Sequence, residues 1–347
     1  MSTTYSLRQL GWQPYYQQQL SLEEYESCFI ARVISHHKSE FVLQLEERQH
    51  HLNMNINFPA MTVGDWLLLD ENLQFVRLLE RKSKISRKAA GTEVKEQLIA
   101  ANIDVLFIVT SLNQDFNLNR IERYLAIAHE AQIEPVIVLT KRDLNPEHSD
   151  LIDKVKKSEP DIQVIAVNAL SSDDVSLLDS WCQTGKTISV MGSSGVGKST
   201  LINTLLGEAQ QSTGSIRTDD DKGRHTTIAR SIHIMSNKAV LLDTPGMREL
   251  QLATCQDGLA QTFSDIENLA KHCRFTNCQH QSEPGCAVQQ AIESGELEPR
   301  RLKNFVKLYK EEQRNSASLV ERRASDKALS KMYRRVLTGS QKMKKGL

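Results

Sequence analysis

The sequence predicts an α/β domain with a parallel sheet, preceded by a small β-barrel and followed by a metal-stapled helical unit. Three observations carry this prediction. Apolar strand-like runs alternate with helical runs between residues 89 and 250, the pattern of a parallel sheet with helices on both faces. Residues 28–80 hold only short strand candidates and no helical run. Three cysteines and a histidine crowd into the stretch from Cys273 to Cys286. A chain of 347 residues has room for two or three domains. The predicted boundaries are a mobile segment at 1–27, barrel and basic linker at 28–88, the α/β domain at 89–250, the helical unit at 251–315 and a basic tail at 316–347.

Within the α/β domain, Gly192-Ser193-Ser194-Gly195-Val196-Gly197-Lys198-Ser199 fits G-x-x-x-x-G-K-[ST]. Lys186 to Met191 reads as the strand before it, and Ser199 to Leu206, including Thr200, as the helix after it. Strand, glycine turn and helix N-terminus together form an anion cradle of backbone N–H groups. Lys198 is expected on the β- and γ-phosphates of a nucleotide, and Ser199 on Mg²⁺.

A phosphate loop does not choose the base. Thr140-Lys141-Arg142-Asp143 follows the apolar strand Pro135 to Leu139 and resembles the guanine-reading [NT]-K-x-D element of GTPases. A carboxylate at Asp143 accepts from the guanine N1–H and exocyclic amine, a donor pair that adenine lacks. An unpaired buried acceptor costs roughly 1–3 kcal/mol, so the discrimination is strong. Asn168-Ala169, after the strand Ile162 to Val167, resembles the element whose backbone N–H meets the guanine O6. Asp243-Thr244-Pro245-Gly246 closes the strand Ala239 to Leu242. It supplies a carboxylate for magnesium and a glycine N–H for the γ-phosphate. The polar loop from Gly207 to Arg224 suits a switch segment ordered by γ-phosphate and Mg²⁺. Thr227 is the first choice for the magnesium-sensing threonine, and Thr226 the alternative. The base-reading elements precede the phosphate loop here, whereas ordinary GTPases carry them after it. The domain therefore reads as circularly permuted.

Upstream, Leu52, Met54, Ile56 and Phe58 alternate with Asn53, Asn55 and Asn57, a period of two that predicts a half-buried strand. Further strands are expected at Phe41 to Leu45, Trp66 to Leu69 and Phe75 to Leu79, with a turn at Val63-Gly64-Asp65. Four or five strands in about fifty residues suit an OB-like barrel, a nucleic-acid scaffold, or else a β module with no such ligand. The run Arg81 to Lys88 beside it leans toward phosphate contact.

Downstream, Cys273, Cys278, His280 and Cys286 form C-x₄-C-x-H-x₅-C, a donor set for one closed tetrahedral zinc site. His272 is the alternative imidazole. Cys28, Cys182 and Cys255 are scattered, and there is neither a signal peptide nor an apolar run near 18 residues. A reducing, cytoplasmic setting with no membrane association is expected. Net charge is zero overall, from 43 Lys+Arg and 43 Asp+Glu. Residues 300–347 nevertheless hold 15 basic and 4 acidic side chains, and the remainder of the chain carries the opposite excess. Such a tail is drawn to polyanions with a steep salt dependence. Leu302, Phe305, Val306 and Tyr309 recur at helical spacing, so a helix is expected to pack there.

The joint order TKRD, phosphate loop, RHTT, DTPG and Cys/His cluster resembles the circularly permuted ribosome small-subunit-dependent GTPase A family of bacteria, over roughly residues 28 to 310. The resemblance implies a cytoplasmic, monomeric GTPase that acts in late maturation of the 30S subunit, binds 16S rRNA and is stimulated by the subunit. The implied cofactors are GTP, Mg²⁺ and one Zn²⁺. Ser199, Thr227 and Asp243 fall on its magnesium positions. Three residues depart from common GTPase patterns. Thr140 replaces the commoner Asn. Met247 stands where Ras-like GTPases place a water-orienting Gln, so slow intrinsic turnover is expected. Gly195 stands where some GTPases hold potassium with Asn. His225 is then the in-chain candidate to position water, or a loop histidine with no role. A GTP-controlled RNA-binding module with incidental hydrolysis is the alternative function. A metabolic P-loop enzyme fits less well, because no separate substrate domain is evident and the tail is basic.

Overall fold

The computed structural model describes residues 4–37, 39–88, 96–145, 148–207, 231–243 and 255–316. His225, Thr226, Thr227, Gly246, Met247 and the tail beyond Ser316 lie outside the described residues. The N-terminal part contains α1 (Pro14–Gln17), α2 (Leu22–Ser27), β1 (Phe29–His36), β2 (Glu40–Gln44), β3 (Gln49–Asn53), β4 (Trp66–Leu69) and β5 (Phe75–Leu78). A ribbon follows, β6 (Lys84–Lys88) with β7 (Glu96–Ala101). The α/β part holds β8 (Val105–Ser111), α3 (Leu118–Glu130), β9 (Glu134–Thr140), α4 (Ser149–Ser158), β10 (Gln163–Ala166), α5 (Ser172–Val175), β11 (Thr187–Met191), α6 (Lys198–Leu206), β12 (Ser231–Ile234) and β13 (Val240–Asp243). The C-terminal helices are α7 (Gln256–Thr262), α8 (Ser264–Ala270), α9 (Ala287–Glu293) and α10 (Pro299–Ser316).

The central sheet runs β10-β9-β8-β11-β13-β12, with only β12 antiparallel. β8 (VLFIVTS) and β11 (TISVM) are buried at every position. That burial explains their near-continuous apolar runs, since helices cover both sheet faces. The alternation of β8 divides the core. Leu106 and Ile108 face α3 with Ile121 and Leu125, whereas Phe107 and Val109 face α6 with Leu201 and Leu205. The α3 core continues into Leu259, Phe263 and Leu302 of the C-terminal helices. Gly258 on α7 permits this contact, because a Cβ there would lie 2.1 Å from the Ala126 carbonyl oxygen on α3.

The N-terminal strands order as β3-β2-β1-β4-β5, antiparallel throughout, around Val33, Phe41, Leu43, Leu52 and Leu67. This is the partly open five-stranded arrangement of an OB-like barrel. Three expectations are corrected. The strand predicted through Phe58 ends at Asn53: Met54 and Ile56 are 47% and 99% exposed. Asn55 captures the Asn57 N–H with its side chain (3.0 Å), and a turn forms where alternation suggested a strand. The segment read as mobile is instead packed from residue 4 onward. Leu10 and Tyr16 are buried with Trp66, and Trp12 meets Trp66 edge-on at 4.9 Å. The basic linker is a paired strand whose first charges are engaged internally. Arg81 bonds the fully buried Asp65 at 2.7 Å, and Lys82 bonds Asp104 at 2.8 Å.

Arg32 ties these parts together. It projects from β1 opposite the barrel core and lies under the Trp66 ring. Its guanidinium donates to Thr187 Oγ1 (2.9 Å) on β11, to Asn102 O and to Leu10 O. A second cation, Arg301 on α10, joins Glu159 (2.7 Å), Glu122 on α3 (3.1 Å) and Asp265 (2.7 Å), and stacks on Phe263. Burial pushes the Glu159 carboxyl up to about 7 against the opposing pull of Arg301. The predicted helix over Leu302–Tyr309 is thus present, and it docks on α3 as well as on α7.

Candidate nucleotide site and metal centre

The C-terminal ends of adjacent parallel strands carry the predicted nucleotide elements, the edge at which open α/β sheets bind ligands. β11 leads into Gly192–Gly197 and then α6. β9 leads into Thr140–Asp143, β10 into Asn168–Ala169, and β13 ends on Asp243. Gly192 is required by close approach, since a Cβ there would lie 2.2 Å from the Val109 carbonyl oxygen.

Side chains distant in sequence brace the phosphate loop. Thr140 Oγ1 donates to Val196 O at 2.5 Å, so the short threonine still reaches the loop. Lys141, at φ +59°, donates from Nζ to Gly195 O at 2.8 Å. Lys198 Nζ donates to Ser193 O within the loop. Ser193 Oγ accepts from Arg120 on α3 at 2.6 Å, and Asp115 holds that guanidinium through bonds of 2.6 and 3.0 Å. Asp143 is exposed, two residues after Lys141.

The Asn168–Ala169 loop has its own frame. The Asn168 N–H donates to Asp174 Oδ2 at 2.7 Å, and the Leu170 N–H donates to Asn168 Oδ1 at 3.0 Å. Thr204 Oγ1 donates to Ala169 O at 2.6 Å, which pins the loop to α6. Asp174 in turn pairs with Arg142 at 2.9 Å. Sequence reasoning missed Asp174, Arg120 and Asp115. None belongs to a motif, and each reads locally as an ordinary polar residue at a helix start or in a loop.

Ser199, on the first turn of α6, and Asp243, at the end of β13, occupy neighbouring strand ends, because Ser189 of β11 pairs with Leu242 of β13. Thr227, Gly246 and His225 are outside the described residues.

In the C-terminal unit, Cys273, Cys278, His280 and Cys286 converge, with all four ligand atoms within 4.8 Å of one another. Cys273 Sγ lies 3.8 Å from Cys286 Sγ, and His280 Nδ1 lies 3.6 and 3.4 Å from those two sulfurs. A tetrahedron with Zn–S near 2.3 Å and Zn–N near 2.0 Å has ligand edges of about 3.5–3.8 Å, so these three spacings match it and the set with Cys278 is compatible with zinc. His272 Nδ1 instead bonds Asn268 O at 2.9 Å, which resolves the alternative imidazole in favour of His280. The Glu283 carboxylate accepts three backbone N–H groups of the same loop and is held down to about 2 by them. By contrast, burial pushes the Cys182 thiol up to about 12 and raises Cys255 too, as expected of inert core thiols. Among the described residues, no helix is long and apolar enough to cross a membrane.

A family model described as RsgA GTPase matches residues 78–253. A model described as ABC transporter matches residues 175–337, a span that includes Gly192–Ser199 but begins after both Thr140–Asp143 and Asn168–Ala169. The chain is 57% identical to "Small ribosomal subunit biogenesis GTPase RsgA 2" of Vibrio vulnificus (strain CMCP6), over 99% of this chain and 98% of that one. It is 46% identical to "Small ribosomal subunit biogenesis GTPase RsgA" of Methanosarcina acetivorans, over 71% and 68% of the two chains. Among solved structures, YjeQ from Thermotoga maritima aligns with a TM-score of 0.61 at 22% identity, covering 82% of this chain and 98% of that one. YloQ, described as a circularly permuted GTPase, aligns at 0.58 and 21%, covering 88% and 99%. At such identities the structural likeness speaks for the fold alone.

Proposed function

This chain belongs to the RsgA GTPase family, and we propose that it hydrolyses GTP in the service of small ribosomal subunit maturation, binding 16S rRNA and being stimulated by the 30S particle. The observation that carries the nucleotide part is the physical junction of base-reading and phosphate-binding elements. Thr140 and Lys141 of the TKRD loop hold Val196 and Gly195 of the phosphate loop directly. A base seated on Asp143 therefore sets the position of the loop that receives the phosphates.

In this reading Asp143 accepts from guanine N1–H and the exocyclic amine, Lys141 flanks the base, and the Ala169 N–H meets O6. The backbone N–H groups of Gly192–Gly197 and the Lys198 ammonium neutralise the β- and γ-phosphates. Ser199, Asp243 and Thr227 are the residues that would hold Mg²⁺. That ion, when bound, neutralises charge developing on the phosphate oxygens. Met247 offers no hydrogen-bond donor or base to water, so the unassisted rate is low. His225 is the in-chain candidate to position the attacking water, with the 30S particle completing the site. The zinc ligands fix the loop that carries Arg274 and Phe275, and they have no part in the phosphate chemistry.

Co-sedimentation with purified 30S particles tests the partner. The protein should travel with 30S in the presence of a non-hydrolysable GTP analogue, and the bound fraction should fall steeply as salt rises. Equal recovery with 50S particles, or no recovery with 30S at low salt, would refute the proposed partner.

A further inference from the structure

The two loops assigned to the base are joined by an ion pair that no motif contains. Arg142 Nη2 lies 3.0 Å from Asp174 Oδ1 and 2.9 Å from Oδ2. The same carboxylate accepts the Asn168 N–H at 2.7 Å. Arg142 reaches the end of β10 twice more, through its N–H to Val167 O and its Nη1 to Ala166 O, both at 3.4 Å. Asp174 itself is seated at the start of α5, where its N–H is capped by Ser171 Oγ at 3.3 Å. A single carboxylate thus holds the residue before Ala169 while anchored to the residue before Asp143.

We infer that Asp174, clamped by Arg142, is a positioning residue for guanine specificity at the 6-position of the base. The chemistry follows from which N–H groups are occupied. In the segment Asn168–Leu170, the first N–H is taken by Asp174 and the third by the Asn168 side chain. Among the described residues, the Ala169 N–H between them has no protein acceptor. The peptide that carries the Ala169 N–H is held between these two bonds: its own carbonyl, Asn168 O, accepts from the Ser171 N–H at 3.0 Å, and the Thr204 bond to Ala169 O holds the peptide that follows. An N–H so held favours a carbonyl acceptor and rejects an amine. That is the difference between a 6-oxopurine and a 6-aminopurine. Release of Asp174 lets the loop relax and the 6-position go unread, while Asp143 still reads N1 and the 2-amine.

The inference rests on the proposed base site, and three nucleotides separate its failure from the failure of that site. ITP keeps the 6-oxo group and lacks the 2-amine, and ATP carries the 6-amine. Displacement of a fluorescent guanine nucleotide by GTP, ITP and ATP gives two ratios. Asp174→Ala should lower the ITP-over-ATP preference about tenfold and leave the GTP-over-ITP ratio unchanged, the size expected for loss of one charge-assisted hydrogen bond. Asp174→Asn retains an acceptor for the Asn168 N–H but not the ion pair, and should show a loss of about threefold. Both variants should raise KM for GTP and keep kcat at saturation, since the phosphate loop is not touched. Asp143→Asn is the control for the site itself: it should abolish the GTP-over-ITP preference. If Asp143→Asn behaves so and neither Asp174 variant moves the ITP-over-ATP ratio, the clamp has no role in specificity. If Asp174→Ala lowers GTP-over-ITP instead, it supports the Asp143 loop and the inference is overturned. If Asp143→Asn leaves GTP-over-ITP intact, the base site lies elsewhere and the inference falls with it.

Discussion

The nucleotide site and the metal centre are built on opposite plans. The candidate metal centre would take all four ligands from fourteen consecutive residues, and its geometry depends on side chains. The proposed nucleotide site gathers loops that begin at Thr140, Asn168 and Gly192 and a strand end at Asp243, and it would work largely through backbone N–H groups. A local site can be lost without harm to the rest of the fold. A gathered site depends on every tie between its loops, so its parts should fail in graded ways.

Lys198→Ala should have the largest effect, removing the cation that faces the β- and γ-phosphates. GTP affinity should drop by two orders of magnitude or about 3 kcal/mol, measured by nucleotide titration, while the melting profile stays unchanged. Arg301→Ala should come next. It leaves Glu159, 6% exposed, and Asp265 without their guanidinium, and breaking such a buried pair costs about 3–5 kcal/mol. Denaturant unfolding should show the C-terminal helices releasing before the sheet. Cys278→Ser or Cys286→Ser should abolish zinc, read by metal analysis of protein purified without chelator. Either should destabilise residues 255–316 more than the α/β part, as hydrogen exchange would report. Equal loss of protection in both regions would break the contrast drawn here.

A smaller effect is expected at the seam between α3 and α7. His129 Nδ1 lies 2.9 Å from Thr262 Oγ1, a hydroxyl that donates to Gly258 O at 2.7 Å. Burial lowers the His129 pKa from its ordinary 6.5, so the folded state binds fewer protons than the unfolded chain. Stability should therefore be lost as pH falls below about 6.5 and be fully present above it. His129→Gln should flatten that slope in melts recorded between pH 5 and 8.

The same contrast explains what was legible in the sequence. The convergence of the three cysteines and His280 was readable because spacing alone brings them together. The phosphate loop and TKRD were readable because strand, turn and helix each leave a local pattern. Arg120, Asp115 and Asp174 left none, because a charge at a helix start has the same local appearance whether it meets solvent or a distant loop. The barrel strand extended through Phe58 failed for a related reason: alternation of Asn with apolar residues satisfies a period of two, yet Asn55 folds back on its own backbone. The N-terminal segment was misread as mobile because its anchor, Trp66, lies some fifty residues away. Long-range contacts also absorb charge that composition assigns to a partner. Arg81 and Lys82 are bound to Asp65 and Asp104, so the proposed RNA binding would have to draw more on other basic groups.

The central claim is that this GTPase is switched on by the small ribosomal subunit. Steady-state GTP turnover measured alone and with purified 30S, 50S and 70S particles tests it most directly. The account predicts slow turnover alone, strong acceleration by 30S and little by 50S. Turnover that is equally fast without particles, or equally stimulated by 50S, would contradict it.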